Sequence, residues 1–249
     1  MQKLIQRYYF NVPATTGTNV YSYNFKSDEL YKFLTGVACP LASPSLPTAE
    51  EIKIELRDDF KSILSFSPVQ NWCKNTTSTD FDLTQVFRPL CVESAGKNFY
   101  LNVKVTNSTS GFAFVALFRQ ENEKQNINIF GQDVAAYDMQ SFTIKAAALG
   151  VNYNINLPSD FEAVAGVNFI GGDMNNLRNL LLDINDNVKN LLDPFPVTCL
   201  KVSENVNQDK NFYPLSFKSN NKQVNLRLTL LQSATYTPAD ITVTFLLIR

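Results

Sequence analysis

Residues 87–108 read FRPLCVESAGKNFYLNVKVTNS, and residues 212–233 read FYPLSFKSNNKQVNLRLTLLQS. Seven of these 22 aligned positions are identical, at a constant offset of 125. Internal repetition decides architecture before any local feature does, so the echo sets the reading of the whole chain. It extends in both directions. Phe10–Asp28 aligns without gaps to Phe142–Asp160 at offset 132, with Phe10/Phe142, Tyr21/Tyr153 and Asp28/Asp160 among the identities. Ile54–Val69 aligns to Leu182–Val197 at offset 128, closing on Pro68-Val69 and Pro196-Val197. The blocks keep one order and their offsets drift by a few residues, as turns of unequal length would make them drift.

Side-chain alternation tests the duplication independently. Tyr153, Ile155 and Leu157 alternate with Asn152, Asn154 and Asn156, and Tyr21, Tyr23 and Phe25 fall in the same phase. Phe99, Leu101, Val103 and Val105 alternate likewise, as do Val224, Leu226, Leu228 and Leu230. Period-2 alternation marks a strand with one face on a core, and a slip of one residue would turn that face to water. Matching phase therefore means matching roles in a shared fold.

The first repeat offers strands near 4–12, 19–25, 51–57, 60–66, 68–73, 85–92, 98–106 and 111–119, and the second mirrors them. Between the second and third strands, SDELYKFLTG and SDFEAVAG suggest a short helix ending near Gly36 and Gly166, with Ser159 and Glu162 as a capping box. Residues 48–66 and 176–192 admit two readings. Thr48 with Glu51 could cap an amphipathic helix, whereas the alternation of Ile52, Ile54 and Leu56 around the turn-forming RDD and NDN favours a hairpin. The hairpin is preferred. Eight strands in each repeat then predict an all-β chain of two tandem eight-stranded antiparallel jelly-roll sandwiches, with short helices in connections. The expected domains are residues 1–125 and 126–249, joined through the polar stretch 120–139.

Composition narrows the function. The chain has 249 residues, 45% of them apolar, which is enough to fill two cores. Charged residues are 18% and the net charge is −1, which argues against sequence-specific nucleic-acid binding, because phosphates demand clustered cations. Histidine is absent, which removes Ser-His-Asp and Cys-His nucleophiles and every His-containing zinc site. Cys39, Cys73, Cys91 and Cys199 lack C-x-x-C spacing and read as buried free thiols in preference to disulfides. No charged start with an apolar run follows Met1, so a soluble chain without a Sec-type signal is expected. The sequons at Asn75 and Asn107 are discounted on that ground.

Three constellations carry chemistry-bearing residue types. Asp183, Asn185, Asp186 and Asn187 are calcium-type ligands at short spacing, but the loop lacks the EF-hand glycine and terminal Glu and reads as a solvated turn. Gly171-Gly172 in IGGDMNN reads as a tight loop, and the adjacent Asp58 and Asp59 read as solvated turn residues. No catalytic, cofactor-binding or metal residue is assigned, no cofactor is expected and the chain is read as a non-enzyme.

Two consecutive jelly rolls on a chain of this size, carrying the repeated blocks quoted above, resemble the double jelly-roll major capsid proteins of tailless icosahedral viruses. The short, asparagine-rich, histidine-free chain is similar to small bacteriophage members, including those enclosing an internal membrane. That resemblance implies a structural shell protein forming a homotrimer with pseudo-hexagonal outline. Its partners would be itself, neighbouring capsomers and other virion proteins, with a possible internal membrane beneath. It would be made in the host cytoplasm and located in the virion capsid. In the same family the first residues often face inward, so Lys3, Leu4, Ile5 and Arg7 are either an inner-face segment or simply the first strand. A tandem glycan-binding spike, adhesin or lectin is the alternative reading.

Overall fold

A computed structural model describes residues 3–39, 52–72, 87–107, 111–173, 175–200 and 211–249. The chain forms two compact units that divide between Asp138 and Met139. The first contains β1 (Lys3–Val12), β2 (Thr18–Lys26), β3 (Phe33–Ala38), β4 (Ile52–Asp58), β5 (Ser62–Pro68), β6 (Arg88–Glu93), β7 (Asn98–Thr106) and β8 (Phe112–Glu121). They form two four-stranded antiparallel sheets, ordered β1-β8-β3-β6 and β2-β7-β4-β5. A small hairpin follows, β9 (Ile127–Ile129) with β10 (Gln132–Val134). The second set is β11 (Tyr137–Ala147), β12 (Asn152–Asn156), β13 (Ala163–Gly171), β14 (Leu180–Asn185), β15 (Asn190–Pro196), β16 (Tyr213–Lys218), β17 (Gln223–Leu230) and β18 (Ala239–Ile248). Its sheets run β11-β18-β13-β16 and β12-β17-β14-β15, the same order transposed. Consecutive strands alternate between the two sheets wherever a jelly roll requires it, and both sets obey that wiring.

The inward faces meet as the alternation requires. In the first unit Phe25 of β2 stacks on Phe118 of β8 across the sandwich, with ring centroids 3.6 Å apart, and on Phe99 of β7 at 5.3 Å. In the second, Val164, Phe169, Leu182, Ile184, Val224, Leu226 and Phe245 belong to one buried cluster. Burying a large apolar side chain stabilises by roughly 1.5–3 kcal/mol, so these two cores dominate the folding energetics.

Registers match residue for residue. Lys53 faces Pro68 and Leu181 faces Pro196, and both hairpins shift register at corresponding places, Ile54/Leu56 and Leu182/Ile184. Gly36 faces Pro89 and Gly166 faces Pro214, again with corresponding shifts at Leu34/Gly36 and Val164/Gly166. The hairpin reading of 52–68 and 180–196 is therefore correct in both repeats. The β2/β12 alignment needs correction. Lys26 pairs with Asn98 and Asn156 with Gln223, which sets offset 130 where sequence identity gave 132. Two residues preserve the side-chain phase, so the error leaves the buried face unchanged.

Three other expectations change. The short helices near Gly36 and Gly166 are strands, β3 and β13, each hydrogen-bonded on both sides within its sheet. The glycine at 36 answers a close approach to Phe87, not a helix stop. The proposed strand at 68–73 ends β5 at Pro68 and continues as a 3-10 turn, Val69–Asn71; its counterpart in the second repeat is the helical turn Val197–Leu200. Proline cannot donate to a ladder, which explains why pairing stops there in both copies. The stretch 120–139 contains the end of β8, the β9–β10 hairpin and the start of β11. The capping pair Thr48/Glu51, Cys73 and Asn75 lie outside the described residues. No helix among the described residues is long and apolar enough to cross a membrane.

Candidate functional site

The acidic turn at 183–187 is occupied by its own chain. Asp186 Oδ1 accepts the amide protons of Val188 and Lys189 at 3.1 and 2.9 Å, and Lys222 Nζ donates to Oδ2. The Lys222 ammonium and those amides hold the Asp186 carboxyl at about 2. Asp183 is buried on β14, and loss of solvent raises its carboxyl, opposed by the Asn185 amide at 3.3 Å and the charge of Arg227. Among the described residues no three Cys, Asp or Glu side chains gather to hold a metal ion.

The other constellations are structural as well. Asp58 Oδ1 accepts the amides of Phe60 and Lys61, each at 2.8 Å, while Asp59 accepts the Tyr100 hydroxyl at 2.8 Å. Gly171 and Gly172 both have φ of 92°, a backbone conformation that favours glycine, and turn the chain into Asp173. The Asp173 carboxylate accepts protons from Asn175 N, Asn176 Nδ2 and Thr237 N, which lowers its proton affinity. Cys39 is a buried free thiol whose ionisation burial opposes, but Cys91 is half-buried and Cys199 exposed. The expectation of uniformly buried thiols is thus corrected. Cys91 sits on the edge strand β6 and Cys199 in a surface turn, where no core closes over them.

Among the described residues these constellations are held by their own turns, and the surface carries further features. The edge strands β5, β6, β15 and β16 carry Pro68, Pro89, Pro194, Pro196 and Pro214. Edge prolines block pairing with foreign strands. The opposite edges, β1, β2, β11 and β12, carry none. On β1 the outward face shows Ile5 and Tyr9, with the Arg7 guanidinium 5.0 Å from the Tyr9 ring centroid. Two further apolar side chains stand almost free of the protein, Phe60 at 93% and Val188 at 91% exposure. They occupy equivalent positions in the β4–β5 and β14–β15 turns. Sequence reasoning passed over this pair, although both lie inside the aligned hairpin block as apolar residues where a turn is ordinarily polar.

No known family's sequence pattern matches the chain, and no curated protein is similar to it in sequence. Solved structures are similar in fold. A chain from the atomic structure of Sulfolobus turreted icosahedral virus matches at TM-score 0.51 and 9% identity, covering 100% of this chain and 91% of that one. The major capsid protein of the same virus matches at TM-score 0.47 and 9% identity over 100% and 97% of the two chains. The major capsid protein P2 of bacteriophage PM2 matches at TM-score 0.44 and 8% identity, over 97% and 98%. At such identities the likeness concerns architecture alone. The transposed strand orders, the shared bulges and the whole-length likeness to the chain from the Sulfolobus virus structure together give this chain a double jelly-roll fold.

Proposed function

We propose that the chain is a major capsid protein, located in the virion and made in the host cytoplasm, where it assembles as homotrimers into an icosahedral shell. The observation that carries this reading is the register-matched duplication of a complete jelly roll over the whole chain, in a fold shared with a virion protein. Three copies of a two-unit chain present six similar blocks, which tile a hexagonal lattice. Independent divergence of the two units still allows specific head-to-tail contacts between neighbours. A chain with only 18% charged residues suits a protein covered on several sides by copies of itself, by neighbouring capsomers and by other virion proteins. The role is structural, with no reaction assigned.

Native mass measurement tests it. The expected result is a trimer, with capsid-like sheets or particles in electron micrographs as concentration rises. A strict monomer at high concentration would overturn the proposal.

A further inference from the structure

Strand β1 is the outer strand of its sheet in the first unit, and it carries no device against further pairing. It follows β8 over ten residues, Lys3 to Val12, without a register shift, and neither proline nor glycine interrupts it. A long, regular open edge is a template for another strand. Its outward side chains add to this. Ile5 is 42% and Tyr9 66% exposed, and the Arg7 guanidinium lies 5.0 Å from the Tyr9 ring centroid. Among the described residues Arg7 joins no ion pair. Tyrosine and arginine are residues that protein interfaces favour. The corresponding edge of the second unit, β11, is built differently. Ser141 and Thr143 bond across to the hydroxyls of Thr244 and Thr242, each at 2.9 Å, and Lys145 pairs with Asp240. That row is satisfied within its own sheet, whereas the β1 row beyond Lys3 is left to solvent.

We propose that β1 pairs antiparallel with β1 of a second copy across a two-fold axis, joining two four-stranded sheets into one. The strand is self-complementary, and this selects the occupant. With the two Tyr8 residues opposite each other, Arg7 of each copy faces Tyr9 of the other, and Ile5 faces Asn11. On the other face Leu4 meets Val12. Like charges directly opposite destabilise a strand pair, and this register keeps the two Arg7 side chains out of direct opposition. A guanidinium beside a phenol ring stabilises the pair. In strand addition the main-chain hydrogen bonds supply affinity and alternate side chains supply selectivity. β2 is an equally regular edge, but its outward row from Thr18 to Lys26 holds no aromatic ring to receive a cation. A two-fold contact cannot close a ring of three, so it lies between trimers, and in this the inference rests on the shell reading.

The test is native mass measurement and electron microscopy of the full chain, with the charge at position 9 varied. Tyr9→Lys sets an ammonium opposite Arg7 of the second copy and should raise the concentration at which trimers join by about tenfold. Tyr9→Glu sets a carboxylate there and should leave joining near the wild-type concentration, with added sensitivity to salt. Arg7→Glu with Tyr9→Lys exchanges the charges and should restore what Tyr9→Lys loses. All three variants should melt as the wild type does, since both side chains face away from the core. In joined wild-type samples the β1 amides should exchange hydrogen more slowly than in separate trimers. The inference is overturned, and the shell reading left intact, by trimers of Tyr9→Lys that join as the wild type does. Equal loss in Tyr9→Lys and Tyr9→Glu, β1 amides that gain no protection, or a wild type that stays trimeric at every concentration would do the same. Dimers in place of trimers, dispersed by Tyr9→Lys and restored by the charge exchange, uphold the β1 contact and overturn the trimer reading.

Discussion

Gly36 runs so close beneath Phe87 that a methyl group in place of its hydrogen would lie 2.9 Å from the Phe87 Cβ. Both residues sit where β3 meets the entry to β6, and the bulge at Leu34/Gly36 brings the backbones together. Substitution Gly36→Ala should therefore cost about 1–3 kcal/mol, the usual range for forcing an extra methyl into a packed site. Denaturant unfolding measures it. A midpoint equal to that of the wild type would show that the approach is loose in solution.

The Asp186 carboxyl supplies a pH prediction. Its proton affinity is depressed from an ordinary 3.8 to about 2, chiefly by the Lys222 hydrogen bond and then by the Lys189 amide. A group depressed on folding adds stability that is complete above its unfolded value and disappears as pH falls through the folded one. Asp186→Asn keeps an acceptor for the turn amides but loses the ion pair. Its melting temperature should lie below that of the wild type at neutral pH, and the gap should close between about pH 4 and pH 2. A gap that stays constant across that window would refute the assignment.

Trp72 is the chain's single tryptophan, fully buried in the first unit, with Nε1 donating to Ser67 Oγ at 2.7 Å. Its fluorescence therefore reports the first unit alone. Phe245→Ala removes a fully buried ring from the second core, a change that typically costs about 3–5 kcal/mol. The circular-dichroism transition should move to lower temperature while the tryptophan transition holds its place. Equal shifts in both signals would mean that the two units melt as one.

Pro89 and Pro214 occupy equivalent positions on the edge strands β6 and β16. Pro89→Thr with Pro214→Thr restores two backbone donors to those edges and should increase aggregation on light scattering, with little loss of melting temperature. Unchanged scattering would show that other features guard these edges.

The legible part of the fold was the part with one wet face. Strands such as β2, β7 and β17 turn alternate side chains to solvent, and their period-2 pattern gave element, phase and pairing role together. β3 and β13 are buried on both faces over most of their length, so the alternation vanishes and SDEL and SDFE imitate helix caps. Parity fixed which side of β12 faces inward, but parity is blind to a two-residue slide, which only the hydrogen-bonded ladder resolves. The candidate surface was least legible. Phe60 and Val188 are ordinary residue types, and they stand out only through exposure in two register-matched turns, a property that coordinates supply.

The hairpins at 52–68 and 180–196 have the same length and the same two register shifts. All drift in numbering between the repeats must therefore have accumulated elsewhere. Evolution has left this piece as an interchangeable cassette: either copy could be spliced into the other's place without trimming, and a chimaera carrying two identical hairpins would separate what each block owes to its location from what it owes to its spelling.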